Sequence, residues 1–157
     1  MLRVRARSLC GVVVAAAALT GSMLAGPAQA QEPALDDCGS TGQVLALEVE
    51  GRIPGSRAQF KKGQSYRIAV DFVPSSSVLL ADESLRTSVL GLPVTFKENL
   101  SVGGYTQGEQ RTMEFDLAVT DAYPTMQGDM TVQSVGALGH TLIEKQVCVR
   151  FPFAITN

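Results

Sequence analysis

Tryptophan is absent from this 157-residue chain, and histidine occurs only once, as His140. A hydrolase of the Ser-His-Asp type is poorly supported, because no Gly-x-Ser-x-Gly nucleophile elbow accompanies that histidine. A zinc site is not expected either, since such sites draw mainly on Cys and His ligands. No glycine-rich turn is followed by Gly-Lys-Ser or Gly-Lys-Thr, which argues against a phosphate-binding loop. His140 is predicted to lie in a solvated turn, and we expect no enzyme activity, no cofactor and no metal.

Long apolar runs are confined to the N-terminus. Three arginines precede an apolar segment that ends near Leu24, and Ala28-Gln29-Ala30 has the small-x-small form that signal peptidase accepts. These features predict a secretory signal peptide over residues 1–30 and one secreted or lumenal domain over residues 31–157. An uncleaved membrane anchor is the alternative. It is disfavoured because residues 20–22 interrupt a run that is already marginal for a span of ~20 residues.

Positive charge is sparse in the predicted mature domain. Removing residues 1–30 takes away three of the 13 Lys and Arg residues and none of the 15 Asp and Glu residues, which leaves a net charge near −5. Lys61-Lys62 is the only adjacent basic pair that remains. Nucleic-acid-binding faces need clustered Lys and Arg, so no nucleic-acid partner is expected. Electrostatic capture by an anionic membrane is not expected either.

Cysteine is also scarce, with three in the chain, of which Cys10 lies in the predicted signal peptide. Cys38 and Cys148 remain, and in an oxidising compartment only one pairing is possible. That bridge would close a loop of about 110 residues and contribute roughly 4–5 kcal/mol through chain entropy. Two free thiols are the alternative, and thiol counting under denaturing, non-reducing conditions distinguishes the two.

Apolar and polar residues alternate along most of the mature chain, with no sustained helical period. Alternation of this kind, divided by turn signals, indicates six or seven strands in an antiparallel sandwich or barrel. A single turn of helix over Leu79–Leu85 is the one exception considered. Turns are predicted at several glycines, including Gly103-Gly104 and Gly128-Asp129. The strand candidates are Val44–Val49, Tyr66–Phe72, Ser88–Phe96, Met113–Val119, Met130–Val135 and Val147–Ile155.

Two polar features are predicted to lie on the surface. Asn99-Leu100-Ser101 is a glycosylation sequon beside the predicted turn at Gly103-Gly104, and it has meaning only in a eukaryotic source. Glu48 and Glu50 share a face of a predicted strand and resemble a catalytic carboxylate pair only superficially. We interpret them as the solvated side of a sheet.

Five short motifs occur in a fixed order across almost the whole mature chain. They are Asp37-Cys38-Gly39-Ser40, Lys62-Gly63-Gln64-Ser65-Tyr66, Gly91-Leu92-Pro93-Val94-Thr95-Phe96, Leu117-Ala118-Val119 leading to Tyr123-Pro124, and Cys148 through Ile155. In this order and spacing the set resembles the ML lipid-recognition domain family, and within it most closely the soluble Niemann–Pick type C sterol carriers. Each motif alone is weak.

The resemblance implies an all-β, immunoglobulin-like sandwich of two antiparallel sheets and about seven strands, with an apolar cavity between the sheets. It also implies a disulfide between Cys38 and Cys148. The family's cavity-lining Phe, Val and Tyr fall on Phe96, Val119 and Tyr123, with Pro124 at the rim, and the inward alternation adds Phe115 and Phe153 to the candidate lipid-binding set.

The chain departs from the family in three places. Two further family disulfides have no counterpart, and their positions are predicted to be the cysteine-free loops Arg52–Phe60 and Asn99–Gly108. A tryptophan common near the end of the family chain is absent, with Val149 following the cysteine. These changes bear on the identity of the ligand more than on the fold.

Two functional classes follow from the resemblance. The first is a carrier that holds a sterol or another small apolar lipid and passes it between membranes or to a membrane receptor. The second is a lipid-sensing or adhesion module that acts through a protein partner without transferring lipid. Against both stands a solid sandwich core with no cavity, which periodicity alone would favour, while a secreted hydrolase has the least support.

Overall fold

The computed structural model describes residues 36–138 and 141–157 as an all-β structure without helices. The predicted signal peptide and His140 lie outside these residues. The strands are, in chain order, β1 (Asp36–Asp37), β2 (Gln43–Val49), β3 (Ala58–Lys61), β4 (Gln64–Val73), β5 (Val78–Val89), β6 (Leu92–Tyr105), β7 (Arg111–Val119), β8 (Met126–Leu138) and β9 (Thr141–Thr156).

The strands form two sheets. The larger sheet has the order β1-β9-β8-β5-β6, with β3 pairing in parallel with β9, and the smaller sheet has the order β2-β4-β7. All other pairings are antiparallel. The predicted immunoglobulin-like sandwich is confirmed, and its about seven strands correspond to the seven longer ones, β2 and β4–β9. The short strands β1 and β3 were not predicted.

The period-two patterns decide which residues face the core. On β4 and β7 every second residue is buried, because successive side chains point to opposite faces of a strand. On β9 the alternation is incomplete, because residues 146–149 and 153–155 are all buried. Each fully buried large apolar side chain contributes about 1.5–3 kcal/mol. The largest buried side chains are Phe60, Ile68, Phe72, Leu85, Met113, Phe115, Leu117, Met130, Phe151, Phe153 and Ile155.

The region 79–105 differs from its prediction. Leu79–Leu85 belongs to β5 rather than to a helical turn, and Ser88–Phe96 is not one strand but the two ends of the β5–β6 hairpin. The hairpin turns at Leu90-Gly91, where both φ angles are positive, at 52° and 81°. Two successive positive φ angles characterise the type I′ turn, whose twist matches that of the strands. The chain reverses at Leu90-Gly91, so a glycine at another position of residues 79–105 does not by itself indicate a turn.

Gly103-Gly104 and Gly128-Asp129 lie inside β6 and β8 instead of forming turns. Gly104 has a φ of 56°, and a Cβ there would collide with the backbone of Val78 on the neighbouring strand. The glycine thus permits a close approach of two strands, next to a shift of register in the β5–β6 pairing. Asn99–Gly108 is accordingly mostly strand rather than loop, and the end of Arg52–Phe60 belongs to β3.

The disulfide between Cys38 and Cys148 is present, with the two Cα atoms 5.0 Å apart. It ties the residue that follows β1 to the middle of β9, and the Cys38 amide also donates to the Cys148 carbonyl at 2.8 Å. Asp37 stabilises the turn that follows, because its Oδ1 accepts hydrogen bonds from the amides of Gly39 and Ser40, both at 2.8 Å. These bonds to the ionised form, chiefly that from Ser40, lower the pKa of Asp37.

Candidate functional site

Three of the predicted lipid-binding residues come together between the sheets. The Phe96 ring meets the ring of Tyr123 edge-on at a centroid distance of 5.3 Å, and it meets the ring of Phe153 edge-on at 6.1 Å. Edge-to-face arrangements at such distances are favourable because the positive edge of one ring faces the negative face of the other. Residues from β6, from the β7–β8 connection and from β9 thus form one group, called here the aromatic cluster.

A β-bulge places Phe96 in the aromatic cluster. Leu85 of β5 pairs with Lys97 of β6, but the next residue, Arg86, pairs with Thr95, so Phe96 has no partner on β5. An extra residue of this kind bends a strand and changes the direction of a side chain. Phe96 is the half-buried residue of an otherwise exposed stretch of β6, and it packs against the core.

Val119 and Tyr123 lie at the end of β7 and in the turn that follows it. Val119 is the last residue of that strand and is only 1% exposed. A turn follows, in which the Tyr123 amide donates to the Thr120 carbonyl at 3.1 Å, and the Tyr123 ring lies half-buried against the core. Pro124 is exposed and lies outside the strands.

The cluster continues into the core through two residues outside the predicted set. Phe60 lies 6.2 Å from Phe153 and 4.9 Å from Tyr66, measured between ring centroids. The Tyr66 hydroxyl is satisfied, since it accepts from the Lys61 amide at 2.7 Å and donates to Gln64 at 2.8 Å. Phe60 was missed because β3 has only four residues, although its buried–exposed alternation was there to be read.

Phe115 lies apart from these rings. It shares the inward face of β7 with Val119 and is buried, but four residues of strand, roughly 13 Å, separate the two. Within the described residues it forms none of the ring contacts that join the aromatic cluster. The structure therefore brings Phe96, Tyr123 and Phe153 together and leaves Phe115 in the body of the core.

The β5–β6 tip, defined as residues 87–96, lies next to the aromatic cluster and carries no charge. Leu90 is 98% exposed and Leu92 is 70% exposed, and Val94 is partly exposed beside them. Arg86 and Lys97 flank the tip at similar heights on the two strands. A contiguous group of exposed aliphatic side chains is unusual for a soluble surface and often marks an interaction site.

A second group of interior side chains is polar and lies farther along the same sheet. The Tyr105 hydroxyl donates to Glu83 Oε1 at 2.7 Å and lies 2.7 Å from the Ser134 hydroxyl. Burial, more than any other effect, raises the pKa of Glu83 and also that of Tyr105. This group has no local signal in the sequence, because its three members come from β5, β6 and β8.

The outer face of the smaller sheet carries a depression of about 390 Å³, lined by Glu48, Val49, Glu50, Arg67 and Ala69. Arg67 pairs with Glu114, and its amide donates to Glu50 at 2.9 Å. Glu48 and Glu50 are exposed, as predicted for the solvated side of a sheet.

No group of acidic, His or Cys side chains able to hold a metal occurs among the described residues. The same part of the chain contains no helix that could cross a membrane.

The sandwich is similar in fold to a solved Niemann-Pick type C2 protein from the Japanese carpenter ant. The TM-score is 0.65 at 18% sequence identity, and the match covers 78% of this chain and 98% of that one. A CARDB domain from Pyrococcus furiosus, solved with di-metal ions, gives a TM-score of 0.39 at 13% identity and covers 73% of this chain and 93% of that one. No protein-family model matches the chain, and no curated protein matches it.

Proposed function

We propose that this protein is a secreted or lumenal lipid-binding protein that holds a sterol or another small apolar lipid between its two sheets. The observation that carries this proposal is the aromatic cluster, where Phe96, Tyr123 and Phe153 meet at a half-buried position between the sheets. The likeness in fold to a Niemann-Pick type C2 protein supports it. The motifs that resemble the ML family also support it, since that resemblance implies that Phe96, Val119 and Tyr123 line a lipid pocket.

The energetics of lipid binding suit such a site. Each methylene that leaves water contributes ~0.8 kcal/mol, so a dozen contribute about 10 kcal/mol before the costs of association are subtracted. Aliphatic and aromatic walls are sufficient for this, and few hydrogen bonds are needed. Tyr123 suits the edge of the pocket, since its ring packs on Phe96 while a tyrosine hydroxyl can remain in water.

The β5–β6 tip supports a role in exchange with membranes. Leu90 occupies a left-handed conformation, with φ at 52°, and its side chain is almost fully exposed. A branched apolar residue is unfavourable on both counts, and strain of this kind persists mainly at functional positions. We infer that the tip enters the interfacial region of a bilayer, where aliphatic side chains leave water, and brings the aromatic cluster close to lipid. Apolar burial, rather than net charge, would drive this contact.

Carrier and sensor differ in whether lipid moves between membranes. The exposed apolar tip favours a carrier, because a sensor that acts only through a protein partner needs no contact with a bilayer. The experiment is transfer of a fluorescent sterol from donor to acceptor vesicles at protein concentrations well below that of the lipid. Acceleration with turnover supports the carrier, and binding without acceleration supports the sensor. Absence of binding to both sterols and fatty acids would overturn the proposal.

A matched variant makes the transfer experiment more specific. Leu90→Asp places a charge at the β5–β6 tip without touching the core, because the Leu90 side chain is exposed. Its control is Leu79→Asp, at an exposed leucine of β5 that lies at the end of this strand far from the tip. We expect Leu90→Asp to slow transfer at least tenfold, and Leu79→Asp to leave it unchanged. Equal rates for the two variants would contradict a role for the tip.

A further inference from the structure

We propose that Glu83, Tyr105 and Ser134 form a hydroxyl-binding site between the sheets, which selects lipids with a neutral hydroxyl group over fatty-acid anions. This inference rests on the proposed lipid-binding function and names the class of lipid. It also gives an orientation, because it places the polar end of the ligand inside the sandwich.

The register of the larger sheet directs Glu83 inward. Glu83 of β5 pairs with Ser134 of β8, and cross-strand partners share a face. On that face the neighbours along the two strands are fully buried, namely Ala81, Leu85 and Val132. Ser134 is itself 0% exposed. The side chain of Glu83 therefore leaves the backbone on the core-facing side of the larger sheet.

Tyr105, at the end of β6 in the larger sheet, supports this direction through its contact with the smaller sheet. Its ring lies edge-on to Phe72 of β4 at a centroid distance of 5.1 Å, so its hydroxyl group is held between the two sheets. The Tyr105 hydroxyl donates to Glu83 Oε1. The Ser134 hydroxyl lies 2.7 Å from the Tyr105 oxygen and therefore donates to it. The polar group is thus ordered before any ligand arrives, which lowers the entropic cost of binding one.

The carboxylate retains an acceptor for a ligand. Oε1 is occupied by Tyr105, but Oε2 receives no hydrogen bond from residues 36–138 and 141–157. A carboxylate can accept at both oxygens. Burial raises the pKa of Glu83, while the hydrogen bond from Tyr105 and the charge of Arg111 lower it. A neutral hydroxyl supplies the missing donor, whereas the carboxylate of a fatty acid brings a second negative charge and no proton.

A ligand can reach this site and the aromatic cluster together. Asn99 pairs with Glu83, shares its face and is exposed, so Glu83 lies one strand in from the open edge formed by β6. The bulge that holds Phe96 lies beside Leu85, two residues from Glu83 on β5, which corresponds to roughly 7 Å. One amphipathic lipid could therefore bind the polar group at one end and pack on Phe96 at the other.

The test compares two sterols that differ only in the hydroxyl group, cholesterol and 5-cholestene, together with a fatty acid, oleate. Hydrogen bonds to a charged group contribute about 1.5–3 kcal/mol, so we expect the wild-type protein to prefer cholesterol to 5-cholestene by about 10–100-fold. Glu83→Met should remove that preference by weakening cholesterol alone. Glu83→Gln should strengthen the binding of oleate, because it removes the repelling charge and offers an amide donor. Tyr105→Phe is a second variant that tests the site, and it should reduce the preference for cholesterol over 5-cholestene in part.

The control is Asp82→Asn, which removes a carboxylate from the adjacent position on the opposite face of β5. We expect it to leave all three affinities unchanged, and thermal unfolding of each variant reports whether the fold is retained. Equal binding of the two sterols by the wild-type protein would overturn the hydroxyl site while the lipid-binding function stands. An equal loss for both sterols in folded Glu83→Met would do the same. Failure of the wild-type protein to bind any of the three lipids would instead reject the proposed function itself.

Discussion

The variant Val119→Phe distinguishes between a lipid cavity and a solid core in this protein. Val119 is buried at the end of β7, next to the turn that places Tyr123 in the aromatic cluster. If a cavity lies beside it, the larger ring fills space that lipid would occupy, and the protein remains folded. If the core is solid, the same ring has no room, and overpacking should cost about 1–3 kcal/mol of stability.

The expected loss of affinity follows from the volume that is filled. A phenylalanine side chain has about four carbon atoms more than valine, and each methylene displaced from the lipid forfeits ~0.8 kcal/mol. The variant should therefore lose about 3 kcal/mol of binding free energy, which corresponds to roughly 200-fold in Kd. Complete displacement of the lipid would give a larger loss, so this value is a lower bound.

The assay combines lipid titration with chemical unfolding. The matched control is Val70→Phe, at a fully buried valine on the inward face of the neighbouring strand β4. We expect Val70→Phe to be destabilised and Val119→Phe to keep its unfolding free energy within about 1 kcal/mol of the wild type. Unchanged lipid affinity in folded Val119→Phe would place the pocket elsewhere. Equal destabilisation of both variants would support the solid core.

Three further predictions concern the scaffold. Replacing Cys38 and Cys148 together by serine should cost roughly 4–5 kcal/mol, because the bridge spans 110 residues, and urea unfolding measures the loss; no change would mean that the bridge constrains little. Leu90→Gly should raise stability by about 1 kcal/mol by removing the cost of a positive φ, and it should also slow sterol transfer. A gain in stability without slower transfer would leave the tip with no role in exchange. Asp37→Ala should lower stability above the ordinary pKa of 3.8, and its difference from the wild type should shrink as the pH falls through the depressed pKa of Asp37. A difference that is independent of pH in unfolding experiments from pH 2 to 7 would contradict this assignment.

Much of the fold was predictable because strand alternation is a local property. The segments around Tyr66–Phe72, Met113–Val119 and Val147–Ile155 each show one apolar face, and each is a strand with that face buried. The β5–β6 hairpin was harder to predict. β5 is a central strand whose inner face carries the polar Glu83 between Ala81 and Leu85, so its polarity does not alternate cleanly.

The candidate site likewise has one part that could be predicted from the sequence and one part that could not. Phe96, Val119 and Tyr123 were predicted from motifs and Phe153 from the inward alternation, and the proximity of Phe96 to Tyr123 and Phe153 depends on a bulge in β6 and a turn after β7. The group formed by Glu83, Tyr105 and Ser134 could not be predicted, because it depends on the register of three strands and on the approach of Phe72 from the other sheet. Long-range pairing of this kind has no local signature in the sequence.

Native mass spectrometry of the protein purified from its own host, followed by solvent extraction, tests the central claim most directly. We predict a bound mass that matches a sterol or another lipid with a neutral hydroxyl group, and the extract identifies it. A protein that carries no lipid, and that also fails to bind added sterols and fatty acids, would contradict the account and favour a solid core with a protein partner.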